Sequence, residues 1–212
     1  MAPSDAAARF GLVGKGYMPL KRGLDLLILG VVLLPCLAAM ALIAVAIRLD
    51  SPGPIVFTQQ RTGQHGRRFR MLKFRTMVRN AEELKAQLAH LNVLQPPDFK
   101  IPNDPRITAV GRVLRKSHLD ELPQLWNVLV GEMSLVGPRP TSFAAETYRL
   151  WHTERLEVRP GVTGLWQIRG RAMTEFDDRL RLDIRYIDRL SLGNDLKILA
   201  LTLRSVLGGT GA

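Results

Sequence analysis

The sequence predicts an α+β protein: a mostly helical, membrane-associated domain with an N-terminal re-entrant membrane helix, one short β-hairpin and amphipathic interfacial helices. Three observations lead to this prediction. The run from Leu26 to Ile47 contains no charged residue, and its 22 residues would form a helix about 33 Å long, close to the hydrocarbon thickness of a bilayer. Further along the chain, one stretch has the character of two short strands joined by a turn. Several other stretches carry apolar residues at helical spacing.

The composition is that of a folded protein with an anionic partner. The chain has 212 residues, of which 46% are apolar, and its 30 lysines and arginines exceed its 19 acidic residues to give a formal net charge of +11. Such an excess indicates nucleic acid, an anionic membrane surface or a phosphorylated substrate. Cys36 is the single cysteine, which excludes an intramolecular disulfide and a cysteine-based zinc site.

Pro35 lies near the middle of the apolar run. Proline removes a backbone donor and clashes with the preceding turn, so a break or kink is expected there. Basic residues flank the run on both sides, with Lys21 and Arg22 before it and Arg48 after it, and positive charge marks the cytoplasmic side of a membrane. A helix that turns back at Pro35 satisfies both flanks. An ordinary kinked span is also tolerated in membranes, so the residues leave both arrangements open.

Two other interpretations of the apolar run fit less well. A core helix of a soluble protein is usually apolar on one face, whereas this run is apolar all round. A signal peptide has a shorter apolar region that begins nearer the N-terminus. We therefore predict an N-terminal arm (1–20), a re-entrant helix hairpin broken at Pro35 (21–50) and a cytoplasmic domain (51–212).

A β-hairpin is predicted directly after the membrane segment. Ser51 to Pro54 forms a turn, Ile55 to Thr58 and Arg70 to Phe74 have the character of strands, and Arg61 to Gly66 supplies the connecting turn. Between Ser51 and Asn80 the chain has seven lysines and arginines and no acidic residue. This excess indicates a rim that binds lipid headgroups, a phosphate site, or both.

Five later segments predict helices. They are Ala81 to Leu94, Ile107 to Lys116, Glu121 to Val130, a helix that opens with a capping-box sequence at Thr174 to Asp177, and an amphipathic helix from Asp195 to Leu207. The last helix either packs in the core or lies on the membrane. Arg159 to Arg171 is rich in glycine and predicts a loop, a strand and a second loop.

Asp120 and Glu121 are adjacent carboxylates at the predicted start of a helix, next to a basic cluster. By spacing alone, a helix-capping pair is the commoner explanation, since the macrodipole stabilises negative charge at that position. Carboxylates beside lysines and arginines also suit Mg²⁺ and a diphosphate, because the metal bridges phosphate oxygens while the cations neutralise the rest. A carboxylate can also attack phosphorus to form an acyl phosphate.

Three motifs resemble the bacterial sugar transferase family, the monotopic polyprenyl-phosphate phosphoglycosyl transferases. They are LRKSHLDELPQLWNVLVGEMSLVGPRP (Leu114 to Pro140), KFRTM upstream of it and RPGVTGLWQIRGR downstream. The resemblance runs in order from about Lys21 to Leu207, nearly the whole chain. The stretch from Trp166 to Arg171 is similar to members that transfer hexose phosphates, although the sugar stays open.

The resemblance implies an activity and a set of site residues. Family members carry a re-entrant helix broken at a proline, which Pro35 matches. They transfer a sugar 1-phosphate from a UDP-sugar to polyprenyl (undecaprenyl) phosphate and release UMP. Asp120 matches the nucleophile that forms a covalent phosphosugar intermediate and is the expected contact of Mg²⁺, and Glu121 matches its catalytic partner. The expected substrate- and phosphate-binding residues are Lys73, Arg75, Arg115, Arg139, Gln167 and Arg171.

The resemblance also implies a location and partners. Segment 51–212 would be the catalytic domain at the cytoplasmic face of a bacterial inner membrane, with both termini cytoplasmic, and its partners would be inner-membrane lipid, a UDP-sugar and polyprenyl phosphate but no nucleic acid. The resemblance does not decide whether the protein forms a homodimer. The rival hypothesis is a membrane-anchored basic protein that binds anionic lipid or nucleic acid without catalysis. A plain glycosyl transferase, which would release UDP, is the rival enzyme.

Overall fold

The structure, a computed structural model, describes residues 5–93, 99–148, 150–169 and 176–208. It is mostly helical, with a short antiparallel hairpin and one long apolar N-terminal helix, as predicted. The helices are α1 (Asp5–Asp50), α2 (Ala81–Gln87), α3 (Ala109–Ser117), α4 (Gln124–Val130), α5 (Leu165–Arg169), α6 (Phe176–Ile187) and α7 (Leu192–Leu207). The strands are β1 (Val56–Thr62), β2 (Arg68–Phe74), β3 (Ser134–Val136) and β4 (Gly161–Thr163).

Helix α1 is continuous, and the predicted break at Pro35 is absent from it. The helix has 46 residues with Pro19 and Pro35 both inside it. An interior proline removes a single hydrogen bond, and an apolar environment favours keeping every other backbone group paired within the helix. The helix also begins at Asp5, so residues 5–20, which we assigned to an arm, are part of the same helix.

The N-terminal part of α1 is attached to the rest of the chain by buried polar contacts. Tyr17 Oη donates to Asp195 Oδ2 at 2.5 Å, and Lys21 Nζ forms an ion pair with the same oxygen at 2.8 Å. One turn further along, the Asp25 carboxylate accepts from Ser134 Oγ at 2.8 Å. Because these groups are nearly inaccessible to water, the contacts fix the rotation of α1 as well as its position.

The C-terminal end of α1 is attached to the same domain. Arg75 Nη2 donates to the backbone oxygen of Ser51 at 2.6 Å, just after the helix ends. The Asp50 carboxylate accepts from the Val110 N–H at 3.3 Å, at the start of α3. Ile47 is buried in a small apolar cluster with residues of β2 and α3. Both ends of the apolar segment of α1 therefore contact one folded unit.

Between these two attachments, α1 exposes apolar side chains. Val31, Leu34 and Leu42 are 72%, 78% and 75% exposed. The stretch Gly16–Asp50 is the one described helix that is long and apolar enough to cross a membrane. A core helix of a soluble protein would bury these side chains, so their exposure indicates membrane association.

The β-hairpin forms as predicted, with strands that are longer than expected. Strands β1 and β2 pair antiparallel, with Val56 opposite Phe74 and Thr62 opposite Arg68. A second pair of strands, β3 and β4, is parallel. A strand was predicted within the range that contains β4, but β3 and its pairing with β4 were not predicted from the sequence. The pairing requires glycine, since a Cβ on Gly161 would lie 2.1 Å from the backbone nitrogen of Gly137. The main apolar core lies where β2, α4, β3, α6 and α7 meet.

The remaining predicted elements are partly correct. Helices α3 and α7 match their predictions closely, while α2 ends at Gln87, earlier than expected. Leu165–Arg169 is a short helix, whereas we predicted only a loop, a strand and a second loop between Arg159 and Arg171. Residues 174 and 175 of the predicted capping box, like Leu94, lie outside the described residues; α6 begins at Phe176.

Candidate active site

Asp120 and Glu121 lie in a 3₁₀ turn between α3 and α4. The turn spans Leu119–Glu121, so both carboxylates precede α4. We had predicted that this helix begins at Glu121. His118 ends α3 in the left-handed conformation, with φ 59°, and this reverses the chain direction directly before the pair. Pro123 directly precedes α4, where its missing N–H is not needed. The pair is therefore held between two helix ends.

The Glu121 carboxylate is paired with two cations. Its Oε1 lies 2.7 Å from Lys73 Nζ of β2 and 2.7 Å from Nη2 of Arg139, which follows β3. Burial alone would raise the pKa of Glu121, but the charges of Arg139 and Lys73 outweigh it and hold this pKa well below its usual range. Glu121 is therefore ionised at any physiological pH, and it serves to fix both cations.

Asp120 has a different environment. Among the described residues, no side chain donates a hydrogen bond to its carboxylate, although it is only partly exposed. Burial raises the pKa of Asp120; Lys73 opposes this shift and the neighbouring Glu121 reinforces it. Within the described part of the chain, the carboxylate is thus basic for an aspartate, close to several positive charges and not hydrogen-bonded to another side chain.

Two further cations stand close to the pair. Arg115 of α3 is oriented by its Nε, which donates to Thr76 Oγ1 at 2.9 Å, and its charge lowers the pKa of Asp120. Arg61 of β1 was not predicted as a site residue. Its Nη1 donates to the backbone oxygen of Pro140 at 3.2 Å, and burial, followed by the charge of Arg139, lowers its pKa to about 10.

A sequence signal for Arg61 did exist. Positions that alternate along a strand share a face, and cross-strand partners share it too. In the register of the hairpin, Phe57 pairs with Lys73, so Arg61, four residues after Phe57, lies on the same face as Lys73. The predicted first strand ended at Thr58, and this shorter strand hid the relation.

The other predicted binding residues are placed elsewhere or outside the description. Arg75 is buried and holds the turn after α1 through Ser51, so it does not join the group around the carboxylates. Gln167 lies on α5, where its Nε2 donates to the Val162 backbone oxygen at 3.1 Å. Arg171 lies outside the described residues. The structure thus brings together Lys73, Arg115, Asp120, Glu121 and Arg139.

The family model for the bacterial sugar transferases matches residues 16–209 of the chain, which is nearly its whole length. The chain belongs to the bacterial sugar transferase family. The matched region contains all of the carboxylate site and the long apolar helix from Gly16 onward.

Curated members of the bacterial sugar transferase family are similar over most of this chain. A galactosyl transferase, CpsE, of Streptococcus agalactiae is 46% identical over 91% of this chain and 43% of its own length. An undecaprenyl-phosphate galactose phosphotransferase of Salmonella typhimurium is 48% identical over 76% of this chain and 35% of its own. The exopolysaccharide production protein ExoY of Rhizobium meliloti is 39% identical over 91% of this chain and 87% of its own. The chain therefore spans less than half the length of the first two relatives.

The carboxylate site of this sugar transferase can contribute to a magnesium site but cannot form one alone. Within residues 5–93, 99–148, 150–169 and 176–208, no group of three or more histidine, cysteine or acidic side chains could hold a metal ion. Magnesium in enzymes of phosphorylated substrates is commonly bound through one or two carboxylates together with phosphate oxygens. Asp120 fits that requirement, because Glu121 is already occupied by Lys73 and Arg139.

Proposed function

We propose that this protein is a phosphoglycosyl transferase that moves a sugar 1-phosphate from a UDP-sugar to polyprenyl phosphate, through a covalent intermediate on Asp120, with release of UMP. It would act at the first membrane step of exopolysaccharide or glycan assembly. Family membership supports the class of reaction, and the printed name of the Salmonella relative includes both undecaprenyl phosphate and phosphotransfer. The division of roles between the two carboxylates carries the rest of the proposal.

The observation that carries the proposal is the contrast between Asp120 and Glu121. Glu121 is held by Lys73 and Arg139 at 2.7 Å each, so it is a weak nucleophile with little freedom to move. The carboxylate of Asp120 accepts no side-chain hydrogen bond from the described residues, and burial raises its pKa. A nucleophile needs an accessible lone pair and benefits from higher basicity. Asp120 is therefore the attacking group.

In the first step an oxygen of Asp120 forms a bond to the phosphorus that carries the sugar. The bond from that phosphorus to the bridging oxygen of the diphosphate breaks, and its electron pair leaves with UMP. Lys73, Arg115 and Arg139 neutralise the charge that accumulates on the phosphate oxygens. Magnesium, when bound by Asp120 and the diphosphate, supplies further neutralisation of the leaving phosphate.

In the second step an oxygen of polyprenyl phosphate attacks the same phosphorus. The bond from phosphorus to Asp120 breaks, the carboxylate is regenerated, and the product is a polyprenyl diphosphate sugar. The same cations serve both steps, because each step passes through a phosphorus centre with the same excess of negative charge. Glu121 holds Lys73 and Arg139 in place throughout.

The polyprenyl phosphate reaches the site from the membrane to which the protein is attached on one side only. This monotopic arrangement is supported by the contacts of Lys21 with Asp195 and of Arg75 with Ser51, at opposite ends of the apolar segment of α1. Since both attachments belong to one folded unit, both ends of the apolar segment would lie on the same side of the membrane, which we propose is the cytoplasmic side. Helix α1 stays helical through Pro35, so this arrangement would need a kink at that proline in place of the predicted break.

Helices α3 and α4 lie at the membrane surface in this arrangement. Val113 of α3 and Trp126 of α4 are 65% and 59% exposed, which is unusual for apolar side chains of this size in water. Tryptophan is enriched at the level of lipid headgroups. The site between these two helices would then face the headgroup region, where the phosphate of polyprenyl phosphate resides.

The test is nucleotide release by the purified protein in nanodiscs. Undecaprenyl phosphate, Mg²⁺ and a panel of UDP-sugars beginning with UDP-galactose are supplied, and UMP and UDP are quantified separately. We expect UMP from one donor and none from Asp120→Asn. The covalent intermediate is sought by intact-protein mass spectrometry with donor alone, where the mass should increase by one sugar phosphate.

Two outcomes would contradict the proposal. Release of UDP would indicate a glycosyl transferase that moves sugar without phosphate. Absence of any nucleotide product from every donor, in nanodiscs shown to contain undecaprenyl phosphate, would favour a basic membrane protein that only binds anionic lipid. Glu83→Gln, which changes an exposed acid on α2, is the matched control and should retain full activity.

A further inference from the structure

The segment that carries Arg139 is hydrogen-bonded to the rest of the chain through its backbone carbonyls. Each of the four backbone carbonyls from Pro138 to Thr141 accepts a hydrogen bond. Two of the donors are backbone groups, Gly161 N–H to Pro138 and Thr62 N–H to Thr141, both at 2.9 Å. The other two are side chains: Arg155 donates to the oxygen of Arg139 itself, and Arg61 donates to that of Pro140.

The Arg155 side chain is fixed by a buried carboxylate. Its Nη2 lies 2.6 Å from Oδ2 of Asp183, and the two side chains are 4% and 1% exposed. Burial raises the pKa of Asp183 to about 6, although Arg155 and the nearby backbone N–H of Arg139 lower it. Relative to apolar residues, a buried ion pair of this kind contributes little net stability. It does, however, give Arg155 one orientation.

The local sequence leaves Arg139 few alternatives once its carbonyl is fixed. Pro138 and Pro140 flank it, and the ring of proline fixes one backbone dihedral on each side. The proline that follows also restricts Arg139 to extended conformations. With its carbonyl bound by Arg155, the direction in which the Arg139 side chain leaves the backbone is set, and its guanidinium reaches Glu121 at 2.7 Å.

We propose that the Arg155–Asp183 pair is a positioning unit for Arg139, which acts through the hydrogen bond from Arg155 to the backbone oxygen of that residue. This inference rests on the proposed function, in which Arg139 neutralises the diphosphate of the donor. Arg155 and Asp183 touch neither carboxylate of the site. Their effect on the reaction is to keep the guanidinium of Arg139 in one place before the substrate arrives.

A double-mutant cycle between Asp183→Asn and Arg139→Gln tests this. Asp183→Asn alone is expected to lower kcat/KM for the UDP-sugar by about 10- to 100-fold, the range for misplacing a group by about 1 Å. In the Arg139→Gln background the same change should lower it by less than about two-fold, because the group it positions is gone. If Asp183→Asn lowers kcat/KM by the same factor in both backgrounds, the role of the pair is purely structural and the proposal is overturned.

The cycle is repeated with the affinity for UDP and for inorganic pyrophosphate, measured by calorimetry. This readout needs no turnover, so it separates the two proposals. If the wild type binds both ligands but releases no UMP, the proposed function fails, while non-additive affinities would still support the positioning role. If the wild type binds neither ligand, both proposals fail.

Two additional variants serve as controls, one for a general effect of charge and one for the case in which Asp183→Asn does not fold. Asp178→Asn, on the same helix as Asp183, removes an exposed acid paired with Arg181 and should leave every parameter within about two-fold. If Asp183→Asn has no cooperative thermal transition, Arg155→Lys replaces it in the cycle. Lysine keeps the charge next to Asp183 but lacks the planar fork of arginine, so the same non-additivity is expected. Additive effects of Arg155→Lys would overturn the proposal equally.

Discussion

Lys73 and Glu121 form an ion pair of 2.7 Å immediately beside Asp120, a carboxylate that accepts no side-chain hydrogen bond from the described residues. The two acids are neighbours in sequence, yet their pKa values shift in opposite directions. Pairs of carboxylates whose environments separate their pKa values commonly have different chemical roles. Here the separation is produced by geometry: burial raises the pKa of both carboxylates, but two cations form hydrogen-bonded ion pairs with Glu121 and reverse the shift there.

Glu121→Gln should therefore destabilise the protein. It leaves Lys73 and Arg139 without a counter-charge, and we expect the free energy of unfolding to fall by about 2 kcal/mol, less than for a fully buried pair because Arg139 is partly exposed. Chemical denaturation in detergent measures the change. Glu83→Gln should change it by no more than about 0.5 kcal/mol.

The same ion pair predicts how the free energy of unfolding depends on pH. The pKa of Glu121 is lower in the folded state than in the unfolded chain, so its contribution is fully present above the unfolded value of about 4.3. It is lost progressively as the pH falls below that value. Denaturation curves between pH 3 and pH 6 should show this loss in the wild type, and a wild-type slope matched by Glu121→Gln would contradict the assignment.

Asp120→Asn should abolish UMP release without lowering the melting temperature. Burial raises the pKa of Asp120, which means that its ionised form is unfavourable in the folded state, and asparagine removes that charge. Activity should fall by at least about 10³-fold, the scale for loss of a nucleophile. Thermal unfolding of the same preparation provides the control, since a melting temperature well below that of the wild type would attribute the lost activity to misfolding.

The acid limb of the pH–activity profile should lie at a higher pH than the usual pKa range of an aspartate. Burial raises the pKa of Asp120, and only the ionised form attacks, so kcat/KM should begin to fall at a higher pH than it would for an ordinary aspartate. Arg115 lowers this pKa, so Arg115→Gln should move the limb to higher pH. Arg112→Gln, an exposed neighbour on α3, should leave it in place, and equal shifts in both variants would point to a general charge effect.

Lys21→Met should loosen the attachment of α1. It removes the cation from a buried pair with Asp195, and the expected loss in free energy of unfolding is about 3 kcal/mol. Arg181→Gln breaks an exposed pair with Asp178 and should cost less than about 0.5 kcal/mol. Thermal unfolding in nanodiscs compares the two. Similar losses would mean that the buried pair is not a specific attachment.

Gly161→Ala should disrupt the strand pair that leads into Arg139. The added methyl carbon would lie 2.1 Å from the Gly137 nitrogen, a backbone atom that cannot move independently, and a loss of about 3 kcal/mol is expected. Gly193→Ala on α7 is the contrast, because its methyl group meets nothing within 4 Å and should stabilise the helix by about 0.5 to 1 kcal/mol. A tolerated alanine at position 161 would show that β3 and β4 separate easily.

Patterns with a clear period or a long motif were predictable from the sequence. The hairpin, α3 and α7 followed from alternation and helical spacing, and the carboxylate pair followed from its motif. The continuity of α1 through Pro35 was not predicted from the sequence. Local rules for proline assume that water can hydrogen-bond the freed backbone groups, which a membrane does not allow. Arg75 could not be placed either: nothing in a basic stretch distinguishes a residue that binds the backbone at Ser51 from one that binds phosphate.

Short elements and distant partners were beyond the sequence for physical reasons. Strand β3 has three residues, too few for an alternation to be visible. Asp183 and Arg155 lie 28 positions apart, and Arg155 also binds the backbone of a third residue, Arg139. Such a contact depends on tertiary packing alone, and no local preference of either residue indicates it.

The attachment of α1 through Lys21 and Asp195 also sets an order of events during biosynthesis. The two residues are 174 positions apart, and α1 leaves the ribosome before α7. At about 5 to 20 residues per second, the partner of Lys21 is synthesised roughly 10 to 30 s later. Throughout that interval the apolar helix must reside in the membrane or be held by another protein. The attachment of α1 is therefore completed only after α7 has been synthesised and has docked.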